Sequence, residues 1–175
     1  TEHSVIEDLP ALRKQVEIIW QEYQQLSLAE TFLPGREFRA LITGNWDYNI
    51  YPIEEIVYSL PPDKPRLLTY AAKWVKGDKY FEGTRETCPA EVDRALKETI
   101  EKMAVRAYQV LDCRNYASID LRQDKDGQLN VIDVNPNTDI SMEGAARFPI
   151  EAQGVGYTDF IYEILRLAME HHIMV

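Results

Sequence analysis

Asp126-Gly127 lies between two short apolar runs, Ile119-Asp120-Leu121-Arg122 and Val131-Ile132-Asp133-Val134-Asn135, and that pattern commits the chain to a hairpin. Glycine accepts the positive φ that tight hairpin turns demand, so residues 117–123 are expected to pair with residues 129–135. Side chains two apart on a strand share a face, which groups Asp133 with Asn135 and Asp120 with Arg122. Ile132 and Val134 then point the other way, and the antiparallel register that buries them beside Ile119 or Leu121 sets Asp120 near Asp133. Two carboxylates and an amide oxygen in one patch repel one another unless a cation sits among them. Mg²⁺ suits three such hard donors, with phosphate or water oxygens completing its octahedron. The competing reading of the same residues is a solvated strand face that happens to carry charge.

The whole chain, residues 1–175, fits one ordinary domain. A hydrophobic content of 45% with 27% charged residues is that of a globular protein in water. Net charge is −10, with no cluster of Lys and Arg, so nucleic acid is not an expected partner. Cys88 and Cys113 alone do not make a disulfide framework, and a cytoplasmic location is the default. No apolar run reaches the roughly 20 residues that span a bilayer, and Thr1-Glu2-His3-Ser4 begins nothing like a signal peptide. His3, His171 and His172 fall near the ends and are given no role.

Asp8 and Pro10 open a helical pattern in which Leu12, Val16, Ile19 and Tyr23 recur until about Gln25. Residues 26–32 alternate and are expected to be a strand; Pro34-Gly35 breaks it and Glu37 to Ile42 resumes as another. Further strands are expected over 48–53 and 56–60. Residues 61–88 read as a long connection that carries function. Pro89 then opens a helix whose buried stripe is Val92, Leu96, Ile100, Met103, Ala107 and Leu111. After the hairpin, Thr158 is expected to cap a last helix with Ile161, Ile164, Leu165 and Ala168 on one face. Helices among hairpin-linked strands imply an α+β fold, helices packed on an antiparallel sheet with one face open to a ligand.

The chain resembles the C-terminal lobe of ATP-grasp carboxylate–amine ligases, closest to the D-alanine–D-alanine ligase-like group. The resemblance covers nearly all of it. It is carried by Leu28 to Phe38, Tyr70-Ala71-Ala72-Lys73-Trp74, Cys88-Pro89-Ala90, Asp120 with Asp133 to Asn137, and Gly154-Val155-Gly156-Tyr157, in that order. It implies that Glu30, Thr31, Phe32 and Leu33 receive the adenine and that Glu37 accepts the ribose hydroxyls. It further implies that Lys73 reaches the phosphates from a closing loop, and that Asp120, Asp133 and Asn135 hold the Mg²⁺ of ATP, Mn²⁺ serving as a substitute. The implied reaction moves the γ-phosphoryl group onto a carboxylate, and an amine then attacks the acyl phosphate.

Two departures limit the likeness. The family's arginine two residues before the first metal aspartate is Ser118 here, with Arg122 on the same face as a substitute catalytic group. Its oxyanion-site glycine after Asn135 is absent, Thr138 and Asp139 standing there instead. The carboxylate and amine substrates therefore stay open. The family also places a substrate domain and a phosphate-loop lobe upstream of Thr1; a truncation or a partner chain would account for them, and a homodimer is the other association expected. A non-catalytic binding or regulatory module is the alternative to an enzyme. A calcium loop through Asp120, Asp124 and Asp126 is a third reading, weakened by the missing bidentate Glu at its twelfth position.

Overall fold

The computed structural model describes residues 2–173, with side chains as far as Glu170; the side chains of His171 and His172 lie outside the described residues. It divides into two compact units, Thr1–Pro34 with Tyr58–Thr84, and Gly35–Val57 with Arg85–Val175. Among the described residues no helix is long and apolar enough to cross a membrane.

In the first unit, α1 (Leu9–Tyr23) starts where Asp8 caps it, the carboxylate accepting from the Ala11 amide at 2.7 Å. The strand expected over 26–32 does not form. Alternation supplies only a potential face; without a neighbouring strand to pair with, Leu26 and Leu28 are left 92% and 84% exposed. The expected connection 61–88 is more ordered than its composition suggests. It holds two short helices, α2 (Tyr70–Trp74) capped by Thr69 and α3 (Lys79–Glu82) capped by Asp78, before β4 (Thr84–Thr87).

The second unit is built on the sheet. The strands β1 (Glu37–Thr43), β2 (Asn49–Ile50), β3 (Glu54–Tyr58), β5 (Tyr116–Gln123) and β6 (Leu129–Asn135) join β4 in the order β4-β3-β1-β5-β6, with β2 beside β1. The pairings of β1 with β3 and β5, and of β5 with β6, are antiparallel. Pro52, which offers no backbone donor, interrupts the strand expected over 48–53, leaving two residues of it. The next strand starts at Glu54 rather than Ile56.

On one face of the sheet Phe38, Ala40, Ile42, Ala117, Ile119 and Leu121 pack under α4 (Arg94–Val110). That helix buries Ile100, Ala104 and Tyr108, a strict i, i+4, i+8 stripe. Asp93 caps it, accepting from the Leu96 amide at 2.8 Å, so it begins five residues after Pro89, and Leu111, the C-cap, is 60% exposed instead of buried. At one end of the opposite face, α5 (Arg147–Gln153) and α6 (Tyr157–Ile173) cover Leu41 and Tyr51 with Ala146, Ile150 and Phe160. α6 starts one residue before Thr158, and the Gly156 carbonyl accepts from the Phe160 amide. Its innermost residues are Phe160 and Leu167; of the face expected, Ile161 and Ile164 pack against that cluster, while Leu165 and Ala168 are exposed.

The hairpin follows the sequence closely. Gly127 has φ 81°, and the Asp124 carboxylate accepts from the Asp126 and Gln128 amides at 2.9 and 2.8 Å. Asp124 is thus used to close the turn and Asp126 pairs with Lys125, which gives these carboxylates structural work and weighs against a calcium loop. At the base of the hairpin Gly35 approaches Gln123 so closely that an added Cβ would meet the Gln123 Cβ at 2.6 Å.

Candidate nucleotide and metal site

The face of the sheet opposite α4 carries the charge. Register puts Asp120 directly across from Asp133 and Ser118 across from Asn135, so Asp120, Asp133 and Asn135 share it as the alternation requires. A register shift follows between Asp120 and Leu121, which pairs with Val131. Ile132 is consequently 43% exposed, against the expectation that it would be buried, while Val134 does pack on the core.

β1 brings Glu37 opposite Arg122 and Arg39 opposite Asp120, and on its other side sets Arg39 opposite Glu54. Every residue of β1 is buried, including these two charged ones, so both need partners. Arg122 Nη1 donates to Glu37 Oε2 at 2.8 Å, and the two side chains are only 5% and 6% exposed. Arg39 donates from Nη1 to Glu54 at 3.0 Å and Glu86 at 3.4 Å, and from Nε to Asp120 at 3.2 Å. Five carboxylates here face two guanidinium groups, a formal charge of −3 when all are ionised. Like charges directly opposite on paired strands destabilise a sheet, so Asp120 and Asp133 favour a cation between them.

The donor set fits a small hard cation. Two carboxylates come with the Asn135 amide, whose oxygen accepts from the Asn137 amide at 3.0 Å and has a second lone pair to offer. Among the described residues no group of three or more His, Cys, Asp and Glu could hold a metal by itself. A cation taken up by these three donors would need further oxygens to complete an octahedron.

Glu54 is fully buried, and its Oε1 has no hydrogen-bond partner among the described residues. Burial pushes its carboxyl up to about 7; Arg39 opposes the rise, and Glu86 and Asp120 add to it. A carboxyl whose folded value lies above its unfolded value stabilises the fold at low pH, and that stability is lost as pH climbs from about 4.5 through 7. Glu54→Gln removes the titration. Urea unfolding should show the variant gaining on the wild type by up to about 3 kcal/mol between pH 4.5 and 8.

The remaining expected residues belong to the first unit. Lys73 lies in the last turn of α2, and Glu30, Thr31, Phe32 and Leu33 lie in the irregular segment between α1 and β1. Arg39, Glu54 and Glu86 escaped the reading of the sequence. A trace was present in Glu37-Phe38-Arg39-Ala40-Leu41-Ile42, where a cation two residues past Glu37 interrupts an apolar strand. Cys88 is no nucleophile candidate: its Sγ donates to the Pro52 carbonyl, and burial pushes the thiol up to about 12.

Residues 4–166 match the family described as D-ala D-ala ligase C-terminus. The chain belongs to this family. An uncharacterized protein, y4sG, from Sinorhizobium fredii is 29% identical over 90% of the chain and 45% of its own length. A D-alanine–D-alanine ligase from Proteus mirabilis is 30% identical over 86% of the chain and 39% of its own length. Among solved structures, D-alanine–D-alanine ligase from Bacillus anthracis superposes with a TM-score of 0.75 at 22% identity, covering 94% of the chain and 50% of that protein. The same enzyme complexed with ATP gives 0.73 at 21% identity, over 94% of the chain and 49% of that protein. These structures share the fold of the ligase C-terminal domain, α+β with helices packed on an antiparallel open sheet. The chain spans less than half the length of the curated relatives it matches.

Proposed function

We propose that this ligase-family segment is the ATP- and Mg²⁺-binding portion of an ATP-dependent carboxylate–amine ligase. The observation that carries the reading is the register of β5 and β6, which sets Asp120 across from Asp133 on the sheet face free of α4, with Asn135 one pair further along. Membership of a family whose curated relatives include D-alanine–D-alanine ligases supports it.

In this reading Asp120, Asp133 and Asn135 hold the metal, whose charge offsets that of the β- and γ-phosphates. Glu30, Thr31, Phe32 and Leu33 receive the adenine, Glu37 takes the ribose hydroxyls and Lys73 contacts the phosphates. Arg122 was a candidate for the transferring group. Its buried pair with Glu37 also holds that carboxylate in position. The γ-phosphoryl group passes to a substrate carboxylate, giving ADP and an acyl phosphate. The amine then attacks the acyl carbon, forming the C–N bond and releasing phosphate. No covalent enzyme intermediate is involved, so the lack of an activated thiol is no obstacle. With Ser118, and with Thr138 and Asp139, where the resemblance leads one to expect arginine and glycine, the substrates are a small-molecule carboxylate and amine whose identity stays open.

Calorimetric titration of MgATP into the wild-type chain, Asp133→Ala and Asn135→Ala tests the binding. The expected result is saturable binding by the wild type and at least about a tenfold loss in each variant, some 1.4 kcal/mol. Equal affinity in all three would sink the metal assignment. ADP release on adding candidate carboxylates and amines then separates a ligase from a binding module.

A further inference from the structure

Arg39 holds a position the proposed chemistry has not used. It stands mid-sheet on β1, opposite Glu54 on one side and Asp120 on the other, and is 6% exposed. Glu54 and Glu86 together are more than enough to balance one guanidinium, and Glu54 retains a buried oxygen with no hydrogen-bond partner among the described residues. Its Nε nevertheless donates to Asp120 Oδ1 at 3.2 Å, a carboxylate that already faces Asp133. A fixed positive charge on one of two opposed carboxylates does two things. It relieves their repulsion when nothing else is present, and it opposes any second cation that draws on the same oxygens.

The geometry points to Arg39 as a resident counter-cation of the Asp120–Asp133 pair, a positioning residue that sets how tightly a divalent cation is held there. The inference rests on the metal reading above. It states that Arg39 weakens metal binding, trading affinity for a site that is neutralised and ordered before the metal arrives. A purely structural Arg39 predicts the opposite, because damage to the β1–β3–β5 junction lowers affinity or leaves it unchanged.

Binding of Mn²⁺ alone to the 175-residue chain, followed by the loss of the free-ion electron paramagnetic resonance signal, decides between them. Arg39→Gln is expected to bind Mn²⁺ at least about tenfold more tightly than the wild type, and Arg39→Lys, which keeps the charge, to stay within about threefold of it. If Arg39→Gln fails to fold, Arg39→Gln with Glu54→Gln removes the buried carboxylate as well, and this pair should bind at least about threefold more tightly. Equal or weaker binding by a folded variant without the guanidinium overturns the inference. Asp133→Asn separates its failure from that of the underlying reading. Mn²⁺ binding that ignores Asp133 overturns both, while binding by no protein overturns this inference, which needs the ion held by the protein's own oxygens, and leaves the nucleotide-shared metal to the MgATP titration. Binding that needs Asp133 but does not tighten without Arg39 overturns this inference alone.

Discussion

Replacing Arg122 by methionine is expected to lower the free energy of unfolding by about 3–5 kcal/mol, because it strips the guanidinium from a carboxylate that stays buried. The Glu37 and Arg122 side chains are 6% and 5% exposed and meet at 2.8 Å, so the little water that reaches the carboxylate replaces the lost partner poorly. For a chain of this size the thermal midpoint should fall by roughly 6–20 °C. Removing both charges, with Glu37→Leu added to Arg122→Met, should recover most of the loss, since an apolar pair of similar volume suits a dry site. Urea unfolding of the two single variants and the double variant measures the coupling. A single variant that loses less than about 1 kcal/mol would mean that the pair is solvated, contrary to its burial.

Phe160→Ala should cost about 3–5 kcal/mol by opening a cavity where α6 meets the sheet. Phe160 is fully buried and lies edge-on to Tyr51, ring centroids 5.8 Å apart, in a cluster with Leu41, Ala146 and Ile150. The helix has polar anchors beside that cluster. Glu163 accepts from Thr43 at 2.9 Å and from Tyr51 at 3.2 Å, and Asn45 donates to the Leu167 carbonyl at 2.9 Å. Native-state hydrogen exchange should therefore show α6 opening well before β1 and β5 in the variant, while in the wild type their amides exchange together. Uniform acceleration across the sheet would instead mean that α6 and β1 unfold as one unit.

The hairpin was legible because its determinants are local. Gly127 fixes the turn, and a period of two aligns Asp120 with Asp133, so a few neighbouring residues settle the register. The Arg39 junction was not legible, since its partners lie 15, 47 and 81 residues away and only the assembled sheet brings them in reach. Local pattern misled at residues 26–32, where alternation met no neighbouring strand. At Pro89 it gave the helix start to a permissive residue when Asp93 supplied the side-chain cap. Ile132 was assigned inward by strict alternation, and one extra residue in β6 turned it out.

β6 closes one side of the sheet, and among the described residues no strand lies beyond it. Its outer backbone, with Val131 and Ile132 exposed beside it, is a template on which a second chain could align. The irregular register and the charge of Asp133 are the means natural sheets use to discourage such pairing. The aspartate proposed to hold a metal thus also acts as a gatekeeper against self-association. A neutral replacement at 133 removes the proposed metal ligand and the gatekeeping charge together, so its binding isotherm is to be read with light scattering that shows the protein to be monomeric.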